Sequence, residues 1–204
     1  SGETVHRRDR CIQFNADGSL PGDGVHSRNL IEGNIVYDNG RGGGAALNFD
    51  GLQDSIIRNN LLYDNHSTGI VLYVGFAAES STNNLVENNT VVMAADARWA
   101  LLMTDGSSGN TVVNNILLNK NPNRGSMTVE DNSLPAVSDF NIVQDLFQTN
   151  GYNGNFATWQ AFSSGQDVHS LVIPQGDVLP ALDGLFVAPA IGDYHLESDS
   201  AAIN

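Results

Sequence analysis

Leu30-Ile31-Glu32-Gly33-Asn34-Ile35-Val36 is a phrase that this chain repeats. It returns as Ile56-Ile57-Arg58-Asn59-Asn60-Leu61-Leu62, as Leu85-Val86-Glu87-Asn88-Asn89-Thr90-Val91 and as Val112-Val113-Asn114-Asn115-Ile116-Leu117. A fainter copy, Ala136-Val137-Ser138-Asp139-Phe140-Asn141-Ile142-Val143, is shifted so that Asn141 keeps the beat. Asn34, Asn60, Asn89, Asn115 and Asn141 stand 26, 29, 26 and 26 residues apart. A period in the twenties marks a solenoid, in which residues one repeat apart become neighbours in space.

Each repeat holds three short apolar runs between polar or Gly-rich turns. In the first they are 29–32, 35–37 and 45–49. None is long enough for an ordinary helix, and all are rich in Val, Ile, Leu and Tyr. Three strands per turn, stacked about 4.8 Å apart, predict an all-β right-handed parallel β-helix. The repeats give it about five rungs. Asparagine suits the corner between two strands because it tolerates a left-handed backbone and bonds nearby main chain. Stacked amides also bond to one another along a column.

On these repeats the chain resembles the pectate-lyase-like superfamily of right-handed parallel β-helices, over roughly residues 10–145. The resemblance implies an asparagine ladder at the turn between the second and third strands of each coil. It makes Cys11–Phe14, Ala45–Phe49, Ile70–Val74, Ala100–Thr104 and Ser126–Glu130 the first sheet. In the family's polysaccharide enzymes that sheet and its flanking loops form the substrate groove.

The expected organisation is a β-helix over 1–145 and an irregular C-terminal cap with a tail packed on the coil over 146–204. The first-sheet strand begins directly after the polar stretch Ser1–Arg10, with no capping helix before it. This predicts a segment of a longer β-helix from the same parent protein, with the cluster His6, Arg7, Arg8 and Arg10 either bordering missing N-terminal rungs or forming a solvated end. By Gln144 the period has faded, and Phe156–Phe162 reads as a short amphipathic helix. Trp159, Phe186 and Tyr194 are expected in the core of the cap. The ending Asp193-Tyr194-His195-Leu196, then Ser200-Ala201-Ala202-Ile203-Asn204, resembles the closing segment of secreted bacterial β-helix proteins. That segment usually has Pro where Ala201 stands and Asp where Asn204 stands. The resemblance implies a secreted or cell-surface bacterial protein.

The formal net charge is −14, which argues against sequence-independent nucleic-acid binding and against attraction to anionic lipid. No apolar run approaches a membrane span. Cys11 is the single cysteine and forms no internal disulfide. An anionic glycan stays open as a partner, because a groove can be locally basic.

Alternation along the first sheet points Ile12, Leu47, Leu72 and Leu102 inward and turns Gln13, Asn48, Tyr73 and Met103 outward as substrate-binding candidates. That row holds no carboxylate pair, which disfavours glycoside hydrolysis. The turns before the sheet place Arg41, His66 and Arg98 on adjacent rungs. Eliminating or epimerising a uronate requires neutralising its carboxylate and removing the proton beside it. Arg41 or Arg98 is the candidate clamp, His66 the base and Tyr73 the acid. Lyases of the superfamily often use Ca²⁺, for which Asp50 and Asp54 are the candidate ligands. The leading expectation is a secreted polysaccharide-active protein of the uronate lyase or epimerase kind. The alternative is a non-catalytic glycan-binding or structural segment of a larger surface protein, adhesin-like or tailspike-like. Ice binding needs flat threonine columns, and Thr68, Thr90 and Thr111 fall in different parts of their repeats.

Overall fold

A computed structural model describes residues 11–203, so the cluster within Ser1–Arg10 lies outside the described residues. The chain coils through three parallel sheets. The first contains Ile12–Asn15, Ala45–Asp50, Thr68–Tyr73, Leu101–Met103, Met127–Val129 and Phe147–Thr149, stacked in that order. The second contains Leu30–Glu32, Ile56–Arg58, Leu85–Glu87, Thr111–Val113 and Val137–Asp139. The third runs from Ile35–Tyr37 through Leu61–Tyr63, Thr90–Met93, Ile116–Asn119 and Ile142–Gln144 to Leu171–Ile173.

Short strands explain the repeat phrase. In the second and third sheets the three-residue strands send their middle residue inward and the other two outward. Ile31, Ile57, Val86 and Val112 fill the core from the second sheet, and Val36, Leu62, Val91, Leu117 and Val143 fill it from the third. The corner between them is held by asparagine. The Asn60 Nδ2 donates to Asn89 Oδ1 at 2.9 Å and to the Ile31 carbonyl at 3.0 Å. Asn89 and Asn115 repeat both bonds one rung on. The residue before each of these asparagines is left-handed: Gly33, Asn59, Asn88, Asn114 and Phe140 have φ of 69°, 53°, 54°, 56° and 56°.

The coil makes one more turn than expected. Phe147–Thr149 pairs with Met127–Val129, and Leu171–Ile173 pairs with Ile142–Gln144. In this last turn Gln166 and Asp167 hydrogen-bond to Ser138 of the second sheet, and the helix α1, Phe156–Phe162, packs on Phe147–Thr149. Trp159 of α1 is fully buried and stacks on Phe147 at 5.5 Å, closing the end of the core. In the Met127–Val129 strand Thr128 points outward, while Met127 and Val129 are buried.

The tail covers the third sheet from outside. It does so with helix α2, Val178–Leu185, and the hairpin of Phe186–Ala188 with Asp193–Leu196. From these elements Leu182, Leu185, Phe186 and Tyr194 pack on Val92, Ile116, Leu118 and Ile142. This cover is why Thr90–Met93 and Ile116–Asn119 are apolar on both faces rather than alternating.

Candidate functional site

The first sheet differs from the expected register. Leu47 pairs with Ile70 and then Leu101, while Phe49 pairs with Leu72 and then Met103. Met103 is therefore fully buried in the core and Leu102 points outward, reversing the expected roles of both. The run Ala100-Leu101-Leu102-Met103 has no polar residue to mark its solvent side, so alternation alone does not fix its phase. The outward row is Gln13, Asn48, Val71, Leu102, Thr128 and Gln148. Five steps of about 4.8 Å give it a length of roughly 24 Å.

At its centre lies a shallow depression with an apolar floor of Val71 and Leu102. Asn48 and Tyr73 border it, and the Asn48 Nδ2 donates to the Tyr73 hydroxyl at 3.3 Å. Arg98 lines the opposite rim, and among the described residues its guanidinium makes no ion pair or hydrogen bond. Gln13 stands on the same row one rung beyond Asn48. Farther along, the Thr128 hydroxyl donates to Gln148 Oε1 at 2.9 Å.

The four residues given catalytic roles separate into two groups. Arg41 and His66 lie together at the corner before the sheet, whereas Tyr73 and Arg98 line the depression. His66 is clamped: its Nδ1 lies 2.6 Å from Asp96 Oδ1 and its Nε2 lies 3.0 Å from Asp38 Oδ1. The Arg41 guanidinium also donates to Asp38, at 2.9 Å. With both ring nitrogens against carboxylates and only 11% of the side chain exposed, His66 presents no open nitrogen to a substrate. Arg41 first, then His66, holds the Asp38 carboxyl below its ordinary value, and His66 does the same for Asp96.

Both carboxyls thus bind their protons more weakly in the fold than in the unfolded chain. The stabilisation is present above the ordinary carboxyl value of 3.8 and is lost as pH falls through the depressed values. Carboxyl-carbon NMR titration is expected to show Asp38 and Asp96 titrating below 3.8, and His66→Ala moving both upward. Unchanged titrations in the variant would contradict the clamp.

The calcium candidates do not fit the ion. Asp50 is buried, and its two oxygens accept the backbone N–H groups of Gly75, Phe76 and Ala77 at 2.7, 2.8 and 3.3 Å. It caps the turn that leaves the first sheet. Asp54 is exposed on a left-handed corner residue beyond the next short strand, Leu52–Gln53. The oxygens Asp50 would offer a metal are already taken by main chain.

Sequence reasoning did not make Val71, Leu102, Thr104 or Asp105 site candidates, and it turned Leu102 inward. Asp105 lies past Thr104 on the Tyr73 side, and its carboxyl is raised by partial burial, then by Glu130 and Asp50. The depression is therefore flanked by a cation on the Arg98 side and by acid beyond the opposite side. The signal for these residues was the register, which the repeat spacing did not carry.

These coils and this face define a solenoid of stacked parallel strands with a shallow depression on its first sheet. The right-handed beta helix region model matches residues 20–165, and the chain belongs to that family. The expected membership of the right-handed parallel β-helix superfamily is thereby borne out. No curated protein and no solved structure matches the chain.

Proposed function

We propose that this chain is a non-catalytic, extracellular glycan-binding β-helix that takes an acidic polysaccharide across the first sheet. The observation that carries the proposal is the central depression: an apolar floor of Val71 and Leu102, hydroxyl and amide groups from Tyr73 and Asn48, and the Arg98 guanidinium at the rim. An apolar floor accepts the C–H face of a sugar, the polar groups accept its hydroxyls, and a guanidinium suits a carboxylate. The enclosure of His66 by Asp38 and Asp96 weighs against proton abstraction and favours binding over a lyase or epimerase.

The test is titration calorimetry with oligogalacturonate and oligomannuronate beside their neutral counterparts. An acidic oligosaccharide is expected to bind more tightly than its neutral form. Arg98→Ala is expected to weaken it about tenfold or more, the scale of one charge-assisted hydrogen bond at about 1.5–3 kcal/mol. Equal binding by the Arg98 variant, or none by the wild type, would refute the acidic-glycan reading. Incubation with the same polymers is expected to leave ultraviolet absorbance flat. A rise that His66→Ala abolishes would restore the lyase reading.

A further inference from the structure

A larger cleft, of about 420 Å³, lies on another side of the coil, between the asparagine corner and the C-terminal tail. That volume falls in the range of small-ligand pockets. Its corner wall begins with the exposed Asn88 and Asn114 and continues with Phe140 and His169. Tyr194 of the tail forms the facing wall, and Ile116 lies on the floor.

Phe140 is out of place by every local rule. Its position before the corner asparagine is left-handed, with φ 56°, and the equivalent residues in the other rungs are glycine or asparagine. A bulky residue there is a backbone outlier. Burial does not compensate, because Phe140 is 54% exposed. The ring is nonetheless fixed. Asp139 Oδ1 accepts the backbone N–H groups of Phe140 and His169 at 3.0 and 2.8 Å, and Oδ2 holds His169 Nδ1 at 2.7 Å. The two rings stack at 4.9 Å, 7° from parallel. Strain retained at an exposed and rigidly braced ring points toward a binding role.

We infer that this cleft is a second carbohydrate site, selective for a neutral sugar. The braced ring pair offers an apolar surface to the C–H groups of a pyranose. Asn88 and Asn114 offer side-chain amides that make no hydrogen bond among the described residues, each a donor and an acceptor for hydroxyls. Among the described residues no lysine or arginine lines the cleft, and Asp139 is engaged by His169, so nothing there selects a charged ligand. An extended peptide does not suit it, because the cleft lies on a sheet face whose main chain is already paired to neighbouring strands. The inference does not rest on the first-sheet depression, whose rim carries Arg98.

The test follows the side-chain amides of Asn88 and Asn114 by ¹⁵N NMR during titration with cellotetraose, mannotetraose and chitotetraose, to about 10 mM, ten times a Kd of 1 mM. At least one sugar is expected to shift both amides. Phe140→Asn, which installs the residue other rungs use, is expected to weaken that sugar about tenfold or more while melting no lower than wild type. Arg98→Ala is expected to leave it unchanged, which separates this site from the acidic-glycan groove. Silence of both amides with every sugar overturns the proposal. So does undiminished binding by Phe140→Asn, or a lower melting temperature in that variant, which would assign the ring to packing.

Discussion

Asn89→Ala is expected to lower the unfolding free energy by about 3–5 kcal/mol, the scale of several buried polar groups left without partners. Asn89 is buried, and its side chain makes bonds in both directions along the coil. Its Oδ1 accepts from the Asn60 backbone N–H at 3.1 Å and from Asn60 Nδ2 at 2.9 Å. Its Nδ2 donates to the Ile57 carbonyl at 2.9 Å and to Asn115 Oδ1 at 3.0 Å. Alanine removes all four bonds. The Asn60 backbone N–H and the Ile57 carbonyl then remain at a corner closed to water, where an orphaned group costs about 1–3 kcal/mol. The adjacent Asn88→Gly supplies the contrast. Asn88 is exposed and left-handed, so glycine keeps the turn and stability is expected to stay within about 0.5 kcal/mol. Denaturant unfolding followed by circular dichroism checks both. A loss below about 1 kcal/mol for Asn89→Ala, or equal losses at the two positions, would show that the corner does not depend on its buried amides.

The same residues show how far the sequence could be read. The asparagine beat located the second and third sheets because each of their strands has a fixed place beside the corner: Ile57 and Leu62 flank Asn60 as Val86 and Val91 flank Asn89. The first sheet lies beyond turns of unequal length. The glycine-rich turn before Ala45 is longer than the turn before Thr68, so equal spacing from the asparagine does not give equal depth in the sheet. Met103 and Leu102 were consequently exchanged. At the candidate site, Asn48, Tyr73 and Arg98 converge as neighbours of one depression, but the clamp on His66 was not visible. Asp38 and Asp96 carried no pattern that distinguished them from solvated turn residues. The side-chain directions that join them to His66 are set by packing across rungs.

The sixth turn was hidden because serine, not asparagine, holds the column position. Leu171 pairs with Ile142, so Ser170 stands opposite Asn141 and accepts its backbone N–H at 2.8 Å, while the carboxylate of Asp167, three residues earlier, takes the Asn141 side-chain amide. Along the column each Nδ2 donates to the oxygen of the next rung. The last acceptor therefore receives donors and has no further rung to donate to. Among the described residues, every side-chain bond at Asp167 is incoming. Oδ1 accepts from Asn141 Nδ2 at 3.0 Å and from the Ser170 hydroxyl at 2.6 Å. Oδ2 accepts from the Ser138 hydroxyl at 2.7 Å and from Trp159 Nε1 at 2.8 Å. The carboxylate thus ends the column and fastens Trp159, the ring that closes the core.

Asp167→Asn, although isosteric, is expected to cost about 2–4 kcal/mol, because either orientation of the amide sets its N–H groups against Asn141 Nδ2 or Trp159 Nε1. General charge repulsion predicts the opposite sign, since the substitution removes one negative charge from a chain of net charge −14. Unfolding midpoints at low and high salt separate the two effects. A destabilisation that persists in high salt, accompanied by a red shift of Trp159 emission as the ring loosens, is the expected result. A neutral or stabilised variant would show that the column needs no anionic terminus and that Trp159 is held by packing on Phe147 alone.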